Sequence, residues 1–302
     1  MENTWSKYIQ STEELYESRA LRFRADNKDL WLQAMKITDG MNILDIGCAG
    51  GIFCHRIKTF LPNTTVTGLD RDAGHIAFAV EKSQALGLDC HFTVGDALAL
   101  PFGSNTFDAC TSHTVIEHVE TAAFLAEQYR VLKPGGVISV LSVRTGMNIS
   151  PENWQPQNNG QYEEEIALLN KAWTAAGDFD KAHGVGAYEM KAADFPKALE
   201  NAGFENISVG FISLLPYAPD NANVGDELAL QMINVNRVHA LSGMAKALNI
   251  APGALSPRET GRLAALINQR FDARINQYLQ GEKLWDMATS TVMSATGYKP
   301  CD

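Results

Sequence analysis

The sequence predicts an α/β chain built on a parallel sheet with helices on both faces. Five short apolar runs, at 43–46, 65–70, 90–94, 107–111 and 137–141, alternate with helix-length segments, which is the pattern of strand–helix–strand crossovers. The first run passes directly into a glycine-rich turn, Gly47-Cys48-Ala49-Gly50-Gly51. Asp45, Asp70 and Asp96 lie at or next to the C-terminal ends of three successive runs. Ligands of such sheets sit beyond those ends, so the three carboxylates mark one rim of a site.

Ser11 followed by Glu14 predicts an N-terminal helix opened by a capping box, with Leu15, Tyr16 and Arg19 on one face. A second helix is expected around Leu30, Trp31, Ala34 and Met35, and the two form a cap segment over residues 1–40. The run Ile43-Leu44-Asp45-Ile46, bounded by Asp39-Gly40 and the glycines, reads as a buried parallel strand. Gly47, Gly50 and Gly51 let main-chain N–H groups approach a ligand before a helix begins near Ile52 and ends at Pro62-Asn63. The strand at 65–70 leads to a helix over 72–86 stopped by Gly87, and the strand at 90–94 to Gly95-Asp96. The strand at 107–111 precedes a helix over 121–132, which Lys133-Pro134-Gly135-Gly136 ends before the strand at 137–141.

Composition narrows the class. The chain has 302 residues, 45% hydrophobic and 20% charged, as in an ordinary folded protein. A net charge of −10 repels phosphate backbones and anionic lipid, which disfavours nucleic acid as substrate, although Lys7, Arg19, Arg22, Arg24 and Lys28 form a weak basic cluster. Five cysteines without a C-x-x-C pair argue for reduced thiols and a cytoplasmic protein. No apolar run approaches membrane-span length, so no membrane association is expected. The histidines do not recur at ligand spacing, and no metal site is expected.

Asp45 distinguishes the cofactor. A fixed negative charge beside the glycine turn would repel a pyrophosphate but attract a cofactor that carries a cation and no phosphate, as S-adenosylmethionine does. A nicotinamide G-x-G-x-x-G would need glycine where Ala49 and Ile52 stand.

With LDIGCAGG at 44–51, VTGLDRD at 66–72, FTVGDALALPF at 92–102, FDACTSHTVIEHV at 107–119 and RVLKPGG at 130–136, the chain resembles the class I S-adenosylmethionine-dependent methyltransferases of small-molecule type. The resemblance implies a Rossmann-like, doubly wound sheet of seven strands, six parallel and one antiparallel. It implies S-adenosyl-L-methionine as cofactor, with Asp45 orienting its ammonium and Gly47, Cys48, Ala49 and Gly51 passing beneath it. Asp70, with Arg71 next to it, would meet the ribose hydroxyls, and Asp96 with Ala97 the adenine. Residues 111–114, Ser112 among them, would face the ammonium and the acceptor, and Ala49 stands where the family usually has glycine. Tyr16 and Arg19 are further cofactor candidates, Arg19 because a guanidinium suits the cofactor's carboxylate. Trp5, Tyr8, Trp154 and Tyr162 are other aromatic candidates, each also explicable as core packing.

Two insertions should carry specificity. Residues 144–190 form a long glycine-flanked segment, helical over 163–175, expected to act as a lid. After a sixth strand at 207–215, apolar periodicity predicts helices over 225–248 and from Ser256-Pro257-Arg258-Glu259 to Gly281. The resemblance makes 287–298 a delayed seventh strand, so 216–283 becomes a helical cap inserted late in a methyltransferase domain spanning 41–302. That cap could cover a small-molecule acceptor or make a homodimer. For acceptors that need a base, His113 is the first candidate and His183 a second, while His118 is read as structural. The alternative to an enzyme is a non-enzymatic S-adenosylmethionine-binding regulatory or assembly module.

Overall fold

A computed structural model describes residues 5–9, 11–143, 161–182 and 184–301. Seven strands, β1 (Asn42–Ile46), β2 (Thr65–Asp70), β3 (His91–Val94), β4 (Phe107–His113), β5 (Leu132–Val143), β6 (Glu205–Tyr217) and β7 (Ala288–Tyr298), form one sheet in the order β3-β2-β1-β4-β5-β7-β6. Strands β1 to β5 pair in parallel, and β7 runs antiparallel to both β5 and β6, so six strands point one way and one the other. β7 therefore fills the gap between β5 and β6 only after the chain has made its late helical excursion.

Ten helices accompany the described strands: α1 (Thr12–Ala20), α2 (Lys28–Met35), α3 (Ile52–Phe60), α4 (Ala73–Leu86), α5 (Thr121–Val131), α6 (Gln161–Ala176), α7 (Phe179–Ala182), α8 (Asp194–Asn201), α9 (Asp226–Ile250) and α10 (Pro257–Leu279). The pleat divides β1 between two cores. Ile43 faces Trp31, Phe53 and Ile57 of α2 and α3, whereas Leu44 and Ile46 face the layer of Phe124, Leu125, Phe195 and Leu199 from α5 and α8. Helices thus cover both faces, as a buried parallel sheet requires.

The glycines and prolines after α5 bend the chain less than expected. β5 begins at Leu132, with a register irregularity opposite Phe107 and Ala109 and Gly135 at φ 76°, so Lys133-Pro134-Gly135-Gly136 is an irregular strand start and not a separate loop.

The two insertions meet. α6, from the first, packs on α9 and α10, from the second, around Ala172, Ile233, Leu263, Ile267 and Phe271. Ser256 caps α10 in a complete capping box with Glu259, and Pro257 occupies the first turn. Arg270 on α10 holds the buried Glu165 of α6 through both carboxylate oxygens.

This helical unit joins the sheet at three places. Met232 and Val235 of α9 pack on Leu21 and Tyr217, and Glu14 of α1 meets His239 Nδ1 of α9 at 2.7 Å. Arg274 Nη2 donates to Asp220 just after β6 at 2.8 Å and to Asp286 just before β7 at 2.7 Å. Tyr217 Oη donates to the same Asp286 at 2.9 Å. Burial alone would lower the Arg274 pKa, but the two carboxylates hold it above its ordinary value.

Candidate functional site

The chain runs from β1 outward to β3 and then returns to lay β4 on the other side of β1. The loops after β1 and β4 therefore diverge and leave a crevice at the C-terminal ends of the strands. A cavity of about 540 Å³ lies there. Its wall includes Asp45, Gly47, Cys48, Ala49, Asp70, Arg71, Asp96 and Ala97 from the first three strand ends, His113 from β4, and Tyr16 and Arg19 from α1. Gly51 and Ser112 do not line it. Gly51 sits at the start of α3, where a Cβ would press on Ala79 and Phe92, and Ser112 is fully buried within β4. His183 and Trp154 lie outside the described residues.

The turn after β1 is shaped by close packing. Gly47 has φ +72°, and a Cβ there would stand 2.4 Å from Val115 Cγ2. Ala49, in the place of the usual glycine, also takes a left-handed φ, 46°. Its N–H donates to Asp70 Oδ2 at 3.0 Å, while Asp70 Oδ1 accepts from the Asp72 N–H at 2.9 Å. These two bonds fix the Asp70 carboxylate at the cavity and leave lone pairs for further donors. Asp96 Oδ1 accepts from the Leu98 N–H at 2.9 Å in the same way.

Asp45 is buried, with Thr111 Oγ1 donating to it at 3.0 Å and Cys54 Sγ at 3.5 Å. Burial pushes its pKa up to about 7, the two hydrogen bonds oppose the rise, and the nearby Asp70 adds to it. A carboxylate so raised is short of a cation.

His113 departs from the role expected of it. Its Nε2 lies 3.4 Å from Arg22 Nη1, and a guanidinium only donates, so the imidazole lone pair is already engaged there. Burial first, and then Arg19 and Arg22, hold its pKa well below the ordinary value. A neutral ring that spends its acceptor on an arginine is not a proton acceptor. The contact fits a residue that positions Arg22 and does not fit the general-base role that the sequence suggests.

Sequence reasoning also passed over several wall residues. Arg22, Phe23, Phe53, Glu117, Tyr188 and Glu189 all line the cavity. Glu117 lies in the 3-10 turn Ile116–His118 and accepts from Ser142 Oγ of β5. Its carbonyl accepts from the Tyr188 N–H at 3.0 Å, and His118 Nδ1 accepts from the Gly186 N–H at 2.9 Å, so residues 184–189 are pinned over the turn. Trp5 stacks edge-on against His118 and Tyr16 Oη turns to His55 Nδ1 at 3.2 Å. Arg22 was named only as a basic residue. Its helical offset of three from Arg19 was the signal that could have placed it on the same face.

The geometry fits S-adenosylmethionine. A cation-hungry carboxylate stands at the glycine turn, a fixed carboxylate follows at the end of β2, and a third stands beside an apolar strip formed by Ala97 and Leu98. Comparison with known proteins agrees. Residues 43–136 match the methyltransferase-domain family, and the fold is Rossmann-like, as in such methyltransferases. A ubiquinone biosynthesis O-methyltransferase of Rhizobium leguminosarum bv. trifolii is 30% identical over 151 residues, 46% of this chain and 59% of that protein. The chain thus spans little more than half the length of the curated relatives it matches. Among solved structures, the [4+2]-cyclase SpnF has a TM-score of 0.52 at 18% identity, over 91% of this chain and 80% of its own. The phosphoethanolamine N-methyltransferase 2 of Haemonchus contortus, bound to S-adenosyl-L-methionine, has a TM-score of 0.53 at 14% identity, over 99% and 60%. At these identities the solved structures establish the fold alone. No described helix is long and apolar enough to cross a membrane.

Proposed function

We propose that this chain is an S-adenosylmethionine-dependent methyltransferase acting on a small-molecule acceptor. The observation that carries the reading is the convergence of Asp45, Asp70 and Asp96 with the Gly47 turn on one cavity of about 540 Å³, a volume in the range of small-molecule sites. Bound there, S-adenosylmethionine supplies an electrophilic methyl group on a sulfonium.

In this reading the protein's part is to bind, align and dehydrate. Asp45 would hold the ammonium, Asp70 the ribose diol and Asp96 the adenine edge. Displacement at the methyl disperses charge and needs no oxyanion hole, so alignment can supply about 7 to 11 kcal/mol of the barrier reduction. The apolar rings of Phe23 and Phe53 on the wall exclude water from the space beside them. The names of the curated relatives favour oxygen as the accepting atom. The net charge of −10 favours a small acceptor over nucleic acid, and five free cysteines favour the cytoplasm. Self-association through α9 and α10 is a further part of the reading, measurable by sedimentation.

The test is calorimetric titration with S-adenosylmethionine. Asp70→Ala should lower affinity by at least a hundredfold while the chain remains folded by circular dichroism, and an unchanged affinity would overturn the site. Transfer of a labelled methyl group to any member of a metabolite panel then separates an enzyme from a binding module.

A further inference from the structure

The wall of the cavity carries charge of both signs, with Glu117, Glu120 and Glu189 beside the three aspartates and Arg71 next to Asp70. Asp45, Asp70 and Asp96 face the crevice from the first three strand ends, while Arg19 and Arg22 face it from the end of α1 and the turn after it. Arg22 is the less explained of the two. Its Nη1 approaches His113 Nε2, its Nε is buried with no hydrogen-bond partner, and no ion pair joins it to a carboxylate among the described residues. Arg19 at least feels Glu14, although that carboxylate lies 2.7 Å from His239. A half-buried guanidinium whose buried Nε has no partner and which faces no anion is costly to fold around, and a group of this kind calls for a reason.

Resting on the cofactor reading above, the charge count supplies one. S-adenosylmethionine brings a single carboxylate, which one guanidinium can take, and it adds a sulfonium that makes this half of the cavity more positive still. One guanidinium is left over. We infer that the methyl acceptor is an organic anion, and that Arg22, seated by His113, binds its carboxylate or phosphate group.

The surroundings suit that task. Phe23 is buried and packs its ring against those of Phe53 and His113, so an apolar body can lie beside the charged group. With Nε2 engaged by Arg22, the neutral His113 carries its proton on Nδ1 and adds no positive charge of its own. With one guanidinium taken by the cofactor's carboxylate, Arg22 and the sulfonium both repel a cationic amine on this side of the wall.

The test uses the full chain, S-adenosylhomocysteine to fill the cofactor's half, and benzoate and inorganic phosphate as probes, titrated calorimetrically at low salt. At least one probe should bind saturably to the loaded wild type. Arg22→Gln should weaken that binding tenfold or more, keep S-adenosylhomocysteine affinity within about threefold, and melt at or above the wild-type temperature. Arg22→Lys, which keeps the charge, should lose less. Absence of binding by both probes, or equal binding by wild type and Arg22→Gln, would overturn the inference. Failure of S-adenosylhomocysteine to bind the wild type would refute the cofactor reading separately.

Discussion

Replacing Asp45 by Asn tests how the cavity holds the cofactor's cation. In the wild type, burial raises the Asp45 pKa from 3.8 to about 7, so near neutrality about half of the unliganded molecules carry a protonated carboxyl. An ammonium beside it favours the ionised form, and below pH 7 each bound cofactor must therefore displace a proton. Affinity for S-adenosylmethionine should fall roughly tenfold per pH unit in that range, or about 100-fold between pH 8 and pH 5. Asp45→Asn should bind weakly at every pH and lose the slope. The stability effect has the opposite sense. Because the folded pKa lies above the unfolded one, the contribution of Asp45 is fully present below about pH 4 and is lost as pH rises through 7. Asp45→Asn, a neutral mimic of the protonated acid, should thus stabilise the unliganded chain at pH 8, by up to about 4 kcal/mol, and have little effect at pH 4. Calorimetry across pH 5–8 and thermal melts at the two extremes check both. A wild-type affinity that is flat across this range, or an Asp45→Asn variant that keeps the slope, would refute the reasoning.

Three further outcomes are expected. Gly47→Ala, which puts a Cβ 2.4 Å from Val115 Cγ2 at φ +72°, should destabilise the chain by about 1–3 kcal/mol and weaken cofactor binding, as read by melting and titration. Arg274→Met, which leaves Asp220 and Asp286 buried without their guanidinium, should cost about 3–5 kcal/mol in urea unfolding. His113→Gln should raise KM for the acceptor with kcat within a few-fold, because His113 seats Arg22 and moves no proton; a kcat loss of about 10²–10⁴ with KM unchanged would restore it as the base.

The carboxylate rim was legible because its residues sit at fixed offsets from strand ends, where period and position give direction directly. Asp45, Asp70 and Asp96 needed only the strands around them. The count of seven strands and the one antiparallel member came through the family resemblance, but the order did not, since no local pattern says that a strand at 288 returns between two formed at 143 and 205. Arg22, Phe23 and Tyr188 were not legible as site residues. Their place depends on how α1 and the 184–189 segment fold back over the sheet, a tertiary contact that leaves little trace in spacing. The surroundings of His113 were hidden for a similar reason: burial and a guanidinium ninety-one positions away, neither visible in local spacing, set the state of its ring. The meeting of α6 with α10 is written in complementary charges, Glu164 with Arg262 and Glu165 with Arg270, but only the fold says which pairs with which.

The two sides of the cavity are also held with different strength, and this bears on how an acceptor reaches it. Asp45, Asp70 and His113 are carried on strands whose ladder hydrogen bonds would have to break together for any of them to move. The opposite side is held by isolated contacts and not by a ladder: Ser6 N–H to Asp72, Gly186 N–H to His118 Nδ1, Tyr188 N–H to the Glu117 carbonyl, Val185 N–H to the Asp180 carbonyl and the Trp5 ring on His118. Each such bond contributes about 0.5–1.5 kcal/mol net, so lifting the 184–189 segment costs far less than deforming the sheet. The 184–189 segment, over the turn carrying Glu117 and His118, is therefore the side of the cavity that yields more readily, while the strand-borne edge stays rigid. Burial lowers the His118 pKa and Arg71 adds to the effect, which keeps Nδ1 available to the Gly186 N–H. Protonation of His118 would remove that acceptor, so acid loosens the roof and weakens the grip of Asp45 on the cofactor in the same direction.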